Sequence, residues 1–253
     1  MAIPASNISE VITELDIIIQ KSLVEKDKLG VFAALYRKVT QRVQEGIAAG
    51  QFEDGARMEK LDVIFANRYL VAHQEYIQNK PMTSSWRLTF EASKMPNILL
   101  IQHLLAGINT HISLDLGIAT ANVASGNALS DLEQDFNEIN QLLSDLIDSV
   151  EKAMGKSMAM VAALDWISGK IDKKIAQFSL EFFRNRAWHA ATTFYDIEEP
   201  ILSERILELD NQTTKENFIL TVLSSGVLPP FMSLLAWAEN RKVISVINAI
   251  SNI

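Results

Sequence analysis

Gln102-His103-Leu104-Leu105-Ala106-Gly107-Ile108-Asn109-Thr110-His111-Ile112-Ser113-Leu114-Asp115-Leu116-Gly117 places two imidazoles and a carboxylate inside an otherwise apolar run. Apolar residues face nearly all round when this stretch is wound as a helix, which makes it a buried one. Pro96 suits the first turn, where a missing N–H costs no intrahelical bond. The reading is a long central helix from Pro96 to about Ala124. Burying an unpaired polar group costs roughly 2 to 7 kcal/mol, so these side chains need partners there, for structure or for function.

Helical spacing continues on both sides of this segment, and alternating strand patterns are scarce, which predicts an all-α fold, a multi-helix bundle around the central helix. Helices are expected at 7–25, opened by Asn7 and Glu10, at 29–49, stopped at Gly50, and at 54–79, stopped before Pro81. A shorter one follows Thr83. Leu132, Phe136, Ile139, Leu143, Ile147 and Val150 mark a helix over 131–153, started by a capping box of Ser130 and Glu133. Residues 158–195 read as helical with a bend at Ser168-Gly169. Further helices are expected at 197–210 and 213–224. Pro229-Pro230 breaks the chain before a last helix near 231–250.

No Pro/Gly/Ser-rich linker divides the 253 residues, so residues 1–253 are expected to form one domain. The apolar fraction of 48% and the 21% of charged residues fit a globular chain rather than a disordered one. A net charge of -8, with none of the 23 Lys and Arg in a block, argues against nucleic acid as a partner. The absence of cysteine removes disulfides, thiolate nucleophiles and thiolate metal sites. No basic start of a signal peptide and no clean membrane span is seen, which predicts a cytoplasmic protein with no transmembrane segment.

His111 and Asp115 lie four apart, about 40° around a helix and roughly 6 Å along it, so they can meet on one face. Three readings stay open. They satisfy each other in the core, they ligate a metal, or they act as an acid/base or ligand-binding pair without one. A zinc site wants three or four ligands, so a metal would need another helix. His103, about 12 Å away along the axis, suits a second level of the same groove, with Gly107 leaving space between. A second constellation is Glu181, Arg184, Asn185, Trp188 and His189. His189 is placed to meet His111 across a helix interface, and Arg184 and Arg186 have forked donors for carboxylate or phosphate. Asp62, among large apolar residues, calls for an arginine, Arg184 or Arg68. His73 reads as exposed or capping.

Other motifs fail. Gly155-Lys156-Ser157 lacks the leading glycine and strand of a phosphate loop, and no HExxH, GxSxG or paired Glu-x-x-His occurs. The apolar tail Val243–Ile250 suits docking on the body, a dimer contact through the C-terminal helix, or a lipid. Docking is favoured, since Arg241 and Lys242 supply little basic charge.

Phe32–Thr40, Leu61–Tyr69, Ser85-Trp86-Arg87 and His103–Gly117 together resemble a mainly bacterial family, domain of unknown function 5995, over roughly residues 10–230. The segment Gly107–Leu116 looks like its helical signature, with Ser113 where an Asn is expected, so no amide role is placed at 113. The resemblance implies an all-helical domain and no particular activity, and it draws attention to Asp62, Asn67, His103, Asn109, His111 and Asp115.

The expectation is therefore a central helix presenting His103, Asn109, His111 and Asp115 to a pocket completed by Asp62, Asn67, Arg184, Trp188 and His189. Such a pocket would take a small polar or anionic ligand. It would otherwise take a divalent metal such as zinc, on His111, Asp115 and His189, and support hydrolysis with His111 and Asp115 as the catalytic pair. The alternative is a helical scaffold or interaction protein whose buried polar network fixes helix register.

Overall fold

Asn7 caps the first helix as its sequence promises: its side chain accepts from the Glu10 backbone N–H. The computed structural model describes residues 4–124, 126, 128–139, 180–223 and 236–253. Helix α1 (Ile8–Glu25) ends at Lys26, whose left-handed φ of 56° closes the turn. Helix α2 (Leu29–Ala48) folds back along α1 and stops before Gly50, at φ +68°. Helix α3 (Gly55–Ile77) is capped by Asp54, and α4 (Ser84–Ser93) follows Thr83.

The central segment is a continuous rod with a defect in it. Helix α5 (Leu100–Thr110) passes into a π turn, His111–Leu116, and then into α6 (Gly117–Ala124). The rod begins at Leu100 rather than at Pro96. The buried Lys28 ammonium donates to the carbonyls of Met95 (2.8 Å) and Ile98 (2.9 Å), holding the preceding segment as a turn, while Gln102 Oε1 accepts from Leu99 N–H. A short 3₁₀ turn, Leu129–Leu132, leads into helical residues 133–139, so Ser130 sits inside the turn and the expected capping box is not formed. The rest of the 131–153 helix, the bend at 168–169 and the Pro229-Pro230 break lie outside the described residues.

Helix α7 (Leu180–Phe194) and α8 (Ile201–Phe218) complete the far side, and a second π turn, Ile219–Leu223, extends α8. The expected break near 210–213 is absent, and Asp210 there has a tertiary role. Asp210 accepts from the Ser84 and Ser85 backbone N–H groups at 2.8 and 3.0 Å, so it caps α4 from another helix. Helix α9 (Val243–Ser251) docks on α1 and α2 through Val243, Ile247 and Ile250.

Among the described residues no strand occurs, and the fold is all-α. The rod packs against α2, α3, α4, α7 and α8, and α8 also packs on α4. Gly107 and Gly117 let its neighbours in close. A Cβ at 107 would stand 2.7 Å from the Phe32 ring, and one at 117 would stand 2.7 Å from Ala190 Cβ. The space expected at Gly107 is thus filled by an α2 side chain. No described helix is long and apolar enough to cross a membrane.

Candidate functional site

Asp115 is the meeting point of three elements. Its side chain is 1% exposed, and its Oδ1 accepts from Arg68 Nε of α3 at 2.8 Å. Its Oδ2 accepts from Trp86 Nε1 of α4 at 2.8 Å and from His111 Nδ1 at 3.1 Å. Burial pushes the carboxyl up, but the Arg68 charge and the hydrogen bonds outweigh it, and Asp115 sits below its ordinary value. It is a carboxylate with both oxygens in use.

His111 stands behind that carboxylate in an aromatic enclosure. Phe65 stacks on it, and Tyr36 meets it edge-on with ring centroids 4.4 Å apart. Phe32, Trp86 and Tyr69 complete the enclosure. Burial lowers its pKa despite the hydrogen bond to Asp115, so at neutral pH the imidazole is uncharged. Donation from Nδ1 then leaves Nε2 as a bare acceptor, and Nε2 has no partner among the described residues. The π turn that carries the pair is a helix distortion often found at functional positions.

Outside Asp115, between α3 and α4, opens a cleft of about 270 Å³. Ile64, Val71 and Ala72 give it an apolar wall, while Arg68, Glu75 and Thr83 bring polar groups and Asp115 closes its base. The Thr83 hydroxyl is buried behind this lining and has no partner among the described residues.

Residues 8–222 match the family described as "Family of unknown function (DUF5995)". The chain belongs to that family. No curated protein and no solved structure matches it. The segments that carry the DUF5995 resemblance converge on this one place: Phe32 and Tyr36, then Phe65, Arg68 and Tyr69, then Trp86, then His111 and Asp115.

Other expected site residues of the DUF5995 chain are dispersed. Asp62 has no arginine partner among the described residues, and Arg68 pairs with Asp115 instead; burial, then Glu59, raises its carboxyl to about 7. Its charge is felt by the Tyr36 hydroxyl, which burial, Asp62 and Asp115 push well up. Asn67 lines the cleft but bonds both ways to the Ala5 backbone, at 2.9 and 2.8 Å. Asn109 faces α8, donating to Asn217 Oδ1 and accepting from Ser113. His103 is buried near Lys28, with neither ring nitrogen partnered among the described residues; burial, then Lys28, lowers it to about 4. His73 is buried, not exposed.

Arg184 is buried against Phe136, donating to its carbonyl with the guanidinium over the ring, and Trp188 packs on the same ring. His189 is exposed, since α7 turns Ala187, Ala190 and Ala191 inward and carries residue 189 off that face. It therefore does not join His111 and Asp115 as a metal ligand. Among the described residues no group of three or more His, Asp or Glu is placed to share an ion. The three hydrogen bonds on Asp115 also leave only one of its roughly four lone-pair sites for a metal.

The sequence offers Arg68 only as a partner for Asp62, Thr83 only as a helix start, and Trp86 and Glu75 no site role. Arg68 had a usable signal, being a cation in an apolar stretch of α3. Glu75 and Thr83 had none, since cleft walls arise from how two helices cross.

Proposed function

We propose that this protein binds a small polar ligand in the cleft between α3 and α4, with Arg68 and Asp115 as its floor and His111 as the buried support that holds Asp115 in place. The observation that carries the proposal is the position of Asp115: a sealed carboxylate that lines the cleft on one side and fixes an uncharged imidazole on the other. Arrangements of this kind hold a charged group in a set orientation for a ligand. The proposal stops at binding, because His111 lies behind Asp115 and is not among the residues lining the cleft.

A thermal-shift panel of small polar molecules on wild type and Val71→Trp tests it. Val71 is 42% exposed on the cleft wall, so a tryptophan there fills the opening at little cost to the fold. The expected result is stabilisation of wild type that is lost in the variant. No shift in wild type, or a shift that persists in Val71→Trp, overturns the proposal.

The three hydrogen bonds that Asp115 accepts from donors on three elements favour a second reading, a register-fixing network in a scaffold. In that case His111→Ala costs roughly 1 to 3 kcal/mol and alters no ligand response.

A further inference from the structure

Resting on the reading that the cleft is a ligand site, we infer that it is built for a small organic cation that also carries an oxygen acceptor, the amino-alcohol class, and not for an anion. Charge decides the matter. Arg68 is the cation an anionic ligand would need, but its Nε is committed to Asp115 and the pair is neutral overall. Glu75 lies two turns further along the same face of α3, lines the cleft and is half-buried. No ion pair is made to it among the described residues, and Arg87 of the neighbouring α4 turns one amino group to the Lys80 carbonyl at 3.0 Å. The lining of the cleft therefore carries one uncompensated negative charge, in a chain whose net charge is already -8.

The rest of the lining fits the same ligand. An ammonium at Glu75 finds a carboxylate partly withdrawn from water, where a charge-assisted hydrogen bond is strong. The outer amino groups of Arg68, beyond the Nε that holds Asp115, are left to donate to a ligand oxygen. Ile64, Val71 and Ala72 take a short alkyl body between the two ends. The volume of about 270 Å³ sits at the lower bound of small-molecule sites, roughly 300 Å³.

The test is a titration followed by ¹H–¹⁵N NMR at constant ionic strength and pH 7.5, with ethanolamine, 1-propanol and propionate as probes. Ethanolamine is expected to move the Arg68 Nε–H and Trp86 Nε1–H signals at lower concentration than the other two, and about fivefold more weakly in Glu75→Gln. Propionate acting at lower concentration than ethanolamine, or Glu75→Gln binding ethanolamine as well as wild type does, overturns the cation assignment. Both of these results leave the cleft a ligand site. If no probe moves either signal the cation assignment falls as well, and the Val71→Trp comparison decides separately whether the cleft binds anything.

Discussion

Phe65 lies face to face with His111, their ring centroids 3.7 Å apart and their planes 9° from parallel. Parallel stacking at that distance, with Nδ1 held by Asp115, fixes the imidazole in one plane and one tautomer. Long-range ¹H–¹⁵N correlation at pH 7 should show His111 Nδ1 protonated and Nε2 bare. The reverse tautomer, or an imidazolium, contradicts the network described here.

The Arg68–Asp115 pair makes an energetic claim that can be measured. Removing one partner of a buried pair costs about 3 to 5 kcal/mol because the other charge is stranded. Arg68 is 29% exposed, so water softens the penalty toward the lower end of that range. Asp115→Asn is expected to cost about 3 kcal/mol in urea unfolding. Arg68→Met with Asp115→Asn should cost about 1 kcal/mol less than the two single costs added together. Additive costs would mean that the two side chains do not act as a unit.

The elements that could be read beforehand are those whose signals are local. Asn7 caps α1 with its own side chain, Gly50 ends α2 through its left-handed backbone, and the apolar residues around His111 mark a buried helix. The pairing of His111 with Asp115 was legible for the same reason, being an i,i+4 relation on one helix. Choosing the arginine for Asp115 was not. Asp62 and Arg68 are six apart, about 240° around α3, so they point to different sides, and the crossing of α3 over the π turn decided which carboxylate Arg68 met. His103 was misplaced on similar grounds. Eight residues carry it about 80° around the axis from His111 as well as a full two turns away, and it faces Lys28 instead of the cleft. The continuity of α8 through residues 210–213 was not legible either, since the partner of Asp210, the start of α4, is remote in sequence.

Asp62 gives the protein a signature at mildly acidic to neutral pH. Its carboxyl goes from an ordinary 3.8 to about 7 on burial. Between those values the folded chain holds a proton that the unfolded chain has released, so stability falls as pH rises and levels off above about 7. Asp62→Asn removes this loss. The variant should match wild type most closely near pH 4 and exceed it most near pH 8 in urea unfolding. A difference that is constant with pH would show that Asp62 is ionised in the folded chain throughout.

His103 and His73 work in the opposite direction. Burial, then Lys28 for His103 and Lys21 for His73, lowers both from 6.5 to about 4, while Asp27 acts on each to raise it. Between these values the unfolded chain binds protons that the folded chain refuses, so stability is lost as pH falls from 6.5 toward 4. His103→Leu should flatten that limb, and combined with His73→Leu should flatten it further. Retention of the full acid loss in the double variant would assign it to other groups.

Gly107→Ala probes the support of the site without touching its polar groups. Alanine in place of glycine favours a helix interior by about 0.8 to 1 kcal/mol. Against this, the new Cβ would stand 2.7 Å from Phe32 Cδ2. That ring has little freedom to retreat, being packed against Tyr36, Tyr69, Trp86 and His111 at centroid distances of 5.1 to 5.9 Å. Overpacking of this sort costs about 1 to 3 kcal/mol, so the clash is expected to exceed the gain in helix propensity. The displaced Phe32 should also shift the His111 ring signals, which a mere change in helix stability would not do. A Gly107→Ala protein more stable than wild type, with unmoved His111 resonances, would mean that α2 and the rod sit further apart at this crossing than the Phe32 contact requires.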